Sequence, residues 1–431
     1  MIWCDWPTIP WKVGCWVADP RAAAVSEAPA RPAPLYLDAC ATSPLAPEVW
    51  RVMEHTWRES WGNPSSLHSY GVGAAEVLER SRWQLAADLG ATPEEVIWCS
   101  GGTEAIQTAL LGSAATLRPG RLLISAVEHP ATEMAAAVLA QRGWTLERLP
   151  VDRQGLLRLD ALEPLLAPPT RLVSLIWGQS EVGSLQPVAT VGALCRERGI
   201  RLHVDAVQVL GHALIDWSRL PVDLLSGAAH KLQGPRGIGL LLARRGLPLE
   251  PLIGGVQEGG RRGGTEPVPL IAGFAAALRL CLQRLEAHGG QDPLATLRDG
   301  LWAALRERPG VELLGPEPGE RRQRLPHHLS LLVRDQRGQP LPGRALVRAL
   351  ARRGVACGSG SACSALGTGS PEPNPGAAGA SRVLLAMGFR PEEARGGLRL
   401  SVGPWLREED LAWVPVALAE AIAEVEAGPG R

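Results

Sequence analysis

Lysine is almost missing from this chain. Basic charge is carried by arginine, and only Lys12 and Lys231 are lysines. Phenylalanine and tyrosine are scarce, two of each against 15 tryptophans, and the tryptophans read as packing residues rather than a base-stacking surface. Neither sign of charge is in excess. The 44 acidic and 44 basic side chains are interspersed, which argues against nonspecific binding of nucleic acid. No CxxC pair occurs among Cys4, Cys15, Cys40, Cys99, Cys195, Cys281, Cys357 and Cys363. A zinc knuckle or iron–sulfur run is therefore not expected, nor any metal. A chain this long is no small disulfide scaffold, so free thiols in a reducing compartment are the simpler reading. No apolar run reaches membrane length, and the leader has no compact secretory stretch. The expectation is a soluble, cytoplasmic protein without membrane or nucleic-acid partners.

A chain of 431 residues can bury a large core and divides most simply into one large and one smaller domain. Residues 1–34 stand apart, because prolines interrupt any regular element there. A flexible arm, an arm packed on a partner and an over-extended start all fit them. From Leu35 an α/β rhythm begins. Strands are expected at Glu95–Cys99, Arg121–Ala126, Trp144–Leu149, Arg171–Trp177, Arg201–Val204, Val222–Ser226 and Ile238–Leu242. Helices are expected at Gly73–Leu89, from Pro130 to Gln141 and at Val188–Glu197. This alternation predicts a mainly parallel sheet covered by helices, with some strands of the other direction. A long helix over 267–288 leads to a smaller α/β unit. That unit has strands near Val311–Leu314, His328–Val333 and Leu398–Val402, and helices at Gly343–Arg353, Ser381–Met387 and Glu408–Glu424. Leu366–Ala380 reads as a loop. The implied division is 35–275 for the large domain and 276–431 for the small one. Whether the first residues of the former pack with the latter stays open.

Candidate chemistry gathers at strand ends. An arginine cannot form an imine with an aldehyde, since it offers no neutral amine at accessible pH. A lone internal lysine, Lys231, is therefore a candidate covalent residue. Gly101-Gly102-Thr103 can turn backbone N–H groups and a hydroxyl toward a phosphate, although neither a P-loop nor a dinucleotide fingerprint is present. Asp205 ends a strand, with Gln208 one turn on. An isolated Asp there could simply cap a helix. With Lys231 it suggests a heteroaromatic aldehyde cofactor whose ring nitrogen pairs with Asp205 and whose phenolic oxygen meets Gln208.

Several separated motifs keep their order along the chain. They are Tyr36-Leu37-Asp38-Ala39-Cys40-Ala41-Thr42-Ser43-Pro44, Gly62-Asn63-Pro64-Ser65-Ser66-Leu67-His68, Ser100-Gly101-Gly102-Thr103-Glu104 and Glu128-His129. After them come His203-Val204-Asp205-Ala206-Val207-Gln208, Ala229-His230-Lys231, Gly234-Pro235-Arg236-Gly237-Ile238-Gly239 and Gly360-Ser361-Ala362-Cys363. From Leu35 to Leu411 the chain resembles the pyridoxal-phosphate-dependent cysteine desulfurases of the class V aminotransferase superfamily. The resemblance implies a fold-type-I dimer with a large cofactor domain and a smaller α/β domain. It makes Lys231 the imine-forming lysine, Asp205 the ring-nitrogen partner and Gln208 the phenolic-oxygen partner. Gly102, Thr103 and His230 would touch the phosphate, and Thr265 the phosphate of the neighbouring subunit. His129 would stack on the ring and share proton transfer with Lys231. Arg399 would bind the substrate carboxylate. Cys363, in a Ser/Gly/Ala-rich segment, would attack the sulfur of L-cysteine and become a persulfide, leaving L-alanine. Cys357 reads as a small packed side chain.

The pattern is departed from in three places. Ser180 stands where the family has an asparagine that contacts the phenolic oxygen or the substrate. Ala228 replaces a phosphate-binding serine, and Ala39 an asparagine. These changes should weaken cofactor retention or orientation first. Other readings are a selenocysteine or cystine-type lyase, or a cofactor-binding regulatory protein without turnover. Expected partners are L-cysteine, a second copy of the chain, and a sulfur acceptor such as an iron–sulfur scaffold protein.

Overall fold

A computed structural model describes residues 34–319, 323–360 and 379–428. The irregular leader, Cys363 and nearly all of the loop expected over 366–380 lie outside the described residues. Pro34–Arg431 forms one compact unit.

Among the described residues twelve strands run in chain order: β1 Leu35–Tyr36, β2 Val96–Cys99, β3 Arg121–Ser125, β4 Thr145–Leu149, β5 Thr170–Ile176, β6 Arg201–Asp205, β7 Leu224–Ala228, β8 Gly239–Ala243, β9 Val311–Leu314, β10 His328–Val333, β11 Val355–Ala356 and β12 Gly397–Ser401. Seven of them form the main sheet, in the order β2-β8-β7-β6-β5-β3-β4. Every neighbouring pair is parallel except the two that β8 makes, with β2 and with β7. β2, β7 and β8 are buried along their whole length. That is why they read as unbroken apolar runs instead of alternating ones.

The helices used below are α1 Pro47–Glu59, α2 Ser69–Leu89, α3 Gly102–Gln107, α4 Pro130–Gln141, α5 Val188–Glu197, α6 Val268–Ala287, α7 Leu294–Arg306, α8 Gly343–Arg352 and α9 Val414–Ala427. α2 starts at Ser69, a turn earlier than its sequence suggested, because His68 caps it by accepting from the Gly71 N–H. It stops at Gly90, whose φ of +66° is the left-handed conformation glycine tolerates. α6 is long and apolar enough to cross a membrane, but 67% of its apolar window is buried inside the fold, against α1, α2 and the main core. α1 buries Val49 and Met53 while Trp50 and Trp57 remain exposed. The single helix expected over Glu408–Glu424 is in fact two, Glu408–Leu411 and α9. The break fits Pro415, which has no N–H to donate and sits in the first turn of α9.

A second core lies on the three-stranded antiparallel sheet β12-β10-β9, under α7, α8 and α9. Leu35 and Leu37 belong to this core although they begin the described chain. β1 pairs in parallel with β11, and Asp38 continues the edge beside Ser401 of β12.

Candidate active site

Parallel strands aim their carboxyl ends at one edge of the sheet, where ligands of such folds bind. That edge collects the residues singled out above. β3 leads to Glu128 and His129, β5 to Gln179 and Ser180, β6 to Asp205 and Gln208, and β7 to His230 and Lys231. β2 leads to the turn Ser100–Thr103. Beneath them His203 bridges the hydroxyls of Ser174 and Ser226, both at 2.8 Å, and so ties β5, β6 and β7 together.

Lys231 enters from a short turn after β7 and points its amine at the backbone of the N-terminal motif. Nζ donates to the carbonyls of Cys40 at 2.5 Å and Ala41 at 2.8 Å. Burial pulls its pKa down to about 8; Arg399 adds to that, and Cys40, Asp38 and Asp205 oppose it. The Cys40 carbonyl also accepts from Gln208 Nε2 at 3.0 Å. Gln208 Oε1 is buried and has no partner among the described residues. Asp205 is buried and accepts from the Val207 N–H at 2.9 Å. Burial pushes its pKa up to about 6, against that hydrogen bond and the pull of Lys231.

Glu128 cross-links β3 and β5. Its Oε1 accepts from Ser125 Oγ at 2.6 Å and from the Ile176 N–H at 2.7 Å. His129 follows as the N-cap of α4, with Nδ1 accepting from the Ala131 N–H at 3.1 Å. The neutral ring therefore carries its proton on Nε2. Burial, then Lys231 and Arg382, lower its pKa to about 4, which keeps it neutral at pH 7.

At the end of β2, Gly102 opens α3. A Cβ there would lie 2.9 Å from Val207 Cγ2 and 3.6 Å from the Ala228 Cβ. The turn thus sits directly on the ends of β6 and β7. Thr103 is exposed, and Glu104 braces the turn by accepting from the Ser100 N–H at 2.7 Å. His230 Nδ1 lies 3.2 Å from Thr42 Oγ1, and burial, then Lys231 and Arg236, lower its pKa to about 4. Thr265 is exposed on the loop before α6, away from this cluster in sequence and tied to it by an ion pair of Arg262 Nε with Glu104 at 2.9 Å.

Arg399 comes from β12 and is buried. Nη1 donates to the Ser180 carbonyl at 2.9 Å and Nη2 to Asp38 at 2.8 Å, while Nε has no partner among the described residues. Ser180 therefore meets Arg399 through its backbone. The same carbonyl accepts from His328 at 3.1 Å. Beside them Glu181 accepts from Ser381 Oγ at 2.6 Å. Burial raises its pKa to about 7, against the Ser381 hydroxyl and Arg399. Cys363 lies outside the described residues, and Cys357 is buried.

Four participants have no role in the sequence reading. Asp38 and the carbonyls of Cys40 and Ala41 lie in the N-terminal motif. A backbone carbonyl leaves no mark in a sequence, whereas the only acidic side chain of that motif was a usable signal for Asp38. Glu128 likewise stood next to an assigned histidine.

The arrangement suits pyridoxal phosphate. It offers an amine that loses its proton readily, a buried carboxylate for a ring nitrogen and an orphaned amide oxygen. Gly102 adds a turn so close to the strand ends that a side chain would fill it. Among the described residues no three His, Cys, Asp or Glu side chains are placed to hold a metal ion.

Comparison with known proteins agrees. The family model for aminotransferase class-V matches residues 35–412. Cysteine desulfurase IscS of Dictyoglomus turgidum is 35% identical over 395 residues, covering 91% of this chain and 95% of that protein. A solved NifS-like protein superposes with a TM-score of 0.79 at 30% identity, over 91% of this chain and all of the other. SspA, solved in complex with cysteine, gives a TM-score of 0.72 at 28% identity, over 86% of this chain and 99% of the other.

Proposed function

This chain belongs to the class V aminotransferase family and is a pyridoxal-phosphate-dependent cysteine desulfurase, and from that premise we propose which of its residues carry the reaction. The observation that supports the assignment most is the convergence of Lys231, Asp205, Gln208 and His129 at the carboxyl ends of β7, β6 and β3 on one edge of the main sheet, with Arg399 reaching in from the second sheet. Pyridoxal phosphate, when bound, supplies an aldehyde for covalent attachment and a ring that accepts the electron pair freed at the substrate Cα. Lys231 would hold it through the amine and Asp205 through the ring nitrogen. Gln208, and Ser180 by position, would meet the phenolic oxygen. Gly102, Thr103 and His230 would hold the phosphate, and Thr265 would reach the phosphate held by a second copy of the chain.

Each side chain then has a task set by its surroundings. Lys231, with its pKa near 8, is basic enough to take the Cα proton and acidic enough to return one. Its two carbonyl acceptors give the ammonium a place to rest between those transfers. His129 stays neutral and presents Nε2–H. Arg399 Nε, buried and without a partner among the described residues, is a donor for the carboxylate of L-cysteine, while Asp38 and the Ser180 carbonyl fix the guanidinium plane. The Cys363 thiolate bonds to the substrate sulfur as the Cβ–S bond breaks. The electron pair stays on the carbon, which takes up a proton. L-cysteine and a protein thiol thus become L-alanine and a protein persulfide. We infer a homodimer in which 35–275 forms the cofactor domain and 276–431 the small domain. A sulfur-acceptor or iron–sulfur scaffold protein would take the persulfide sulfur. The free, buried cysteines at 40, 99, 195, 281 and 357 fit a reducing compartment, and we place the enzyme in the cytoplasm.

A single-turnover reaction with L-cysteine, with no added thiol, tests the roles. Alanine and protein persulfide should form in equal amounts. Cys363→Ser should keep its cofactor and form neither persulfide nor alanine, and Cys357→Ser should form both. Persulfide formed by Cys363→Ser, with none in folded Cys357→Ser, would reverse the assignment of the two cysteines.

A further inference from the structure

The loop between β8 and α6 is held more firmly than its surface position requires. Glu258 sits in it with φ +50°, a backbone conformation that side chains other than glycine's rarely adopt. Such strain persists only where the surroundings over-determine it, and here they do. Arg82 of α2 binds both carboxylate oxygens, at 2.7 and 2.9 Å, and the Trp98 N–H donates to the same carboxylate at 3.0 Å. The Glu258 side chain is 1% exposed. This anchor fixes its neighbour Gln257, whose Oε1 accepts from the Gly264 N–H at 3.0 Å. Gly264 has φ +104°, open only to glycine. The Gly263 N–H donates to the Ile253 carbonyl at 2.8 Å and closes the loop. Thr265 is the next residue and is exposed.

We propose that Gln257, locked by the Arg82–Glu258 pair, is a positioning residue that presents Thr265 to the cofactor phosphate of the partner subunit. The proposal rests on the cross-subunit reading of Thr265 given above. The anchor lies wholly within one protomer, while its effect falls on the cofactor of the other. A residue that merely stabilised its own subunit would show no such asymmetry.

Mixed dimers separate the two effects. One protomer carries Lys231→Ala, so that only the other holds pyridoxal phosphate covalently. Gln257→Leu is placed either in the cofactor-holding protomer or in its Lys231→Ala partner. Release of the covalently held cofactor is followed by borohydride trapping after dilution. In the partner position, Gln257→Leu should speed release about tenfold, in line with loss of a hydrogen bond to a charged group. In the cofactor-holding protomer it should have no effect. Gln257→Glu in the partner position, which keeps an acceptor for the Gly264 N–H, should release at the parent rate. Gln257→Leu and Thr265→Ala together should act no more strongly than either alone. Equal effects in both positions would overturn the proposal, as would an effect confined to the cofactor-holding protomer. If Thr265→Ala speeds release from the partner position and Gln257→Leu does not, the positioning role fails alone. If Thr265→Ala does nothing there, the cross-subunit reading fails with it. Glu258→Gln, which keeps the loop's shape but weakens its anchor, serves as a second variant if Gln257→Leu folds poorly.

Discussion

At the scale of single residues, two buried ionisable groups set measurable pH dependences. Lys231 must be neutral to attack an aldehyde, and burial brings its pKa to about 8. Attachment of pyridoxal phosphate to cofactor-free protein should therefore quicken with pH and level off just above 8. At pH 6 it should be roughly 100-fold slower than at the plateau. Rates of borohydride-trappable adduct across pH 6–10 test this, and a rise that continues to pH 10 would contradict it. Lys231→Arg should give no adduct at any pH. Glu128 works in the opposite direction. Its folded pKa is raised by burial to about 8 from an ordinary 4.5. Between those values the native state keeps a proton that the unfolded state has released. The stability this contributes is complete below pH 4.5 and lost as pH rises through 8. Glu128→Gln keeps an acceptor for Ser125 and Ile176 and cannot titrate. Relative to this variant the parent should weaken by at most about 1.4 kcal/mol per pH unit over that range. Urea midpoints of both proteins at pH 5 and pH 8 decide the matter; a constant offset between them would contradict it.

Among the elements, the turn opening α3 makes the sharpest prediction. A methyl group on Gly102 would meet Val207 Cγ2 at 2.9 Å, so Gly102→Ala should push the turn away from the strand ends and hasten cofactor loss. Val207→Ala removes the colliding atom and should restore retention when the two changes are combined. Cofactor dissociation measured for both single variants and the double variant tests this, and a double variant worse than Gly102→Ala would refute it. The inner strands of the main sheet were legible because burial on both faces writes them as largely apolar runs; the expected Arg121–Ala126 and the observed Arg121–Ser125 differ by one residue. Helix α1 was not among the expected elements, although Val49, Met53 and Thr56 share one buried stripe. β1 and β11 are two residues each, too short to leave a period. Of the site, charged and imidazole side chains were readable because their chemistry is specific. The Cys40 and Ala41 carbonyls were not, because every residue has one. Nor was the pairing of Asp38 with Arg399, since it depends on a contact between residues 361 positions apart.

Over the whole molecule, the N-terminal edge binds the two sheets into one site. Leu37 is fully buried in the second core, and Asp38 holds Arg399. Two shortened chains, both without the leader, should therefore behave differently. One beginning at Pro34 should fold and take up cofactor. One beginning at Ala39 loses Leu35 and Leu37, each worth about 2–5 kcal/mol when a buried leucine is removed, and leaves Arg399 without its carboxylate. It should melt at a clearly lower temperature and retain cofactor poorly. Thermal melts of the two side by side test this, and equal melting temperatures would show that the edge contributes little.

That edge also imposes a timetable on biosynthesis. Asp38 leaves the ribosome early, but Arg399 follows it 361 residues later. At about 5–20 residues per second, the interval is roughly 20–70 s. For most of it Leu37 has no second core to enter, and throughout it Asp38 lacks the Arg399 guanidinium. The large sheet can form around its own strands meanwhile, yet the substrate-carboxylate side of the site cannot close. A nascent chain halted before β12 should therefore capture cofactor on Lys231 but remain blind to L-cysteine.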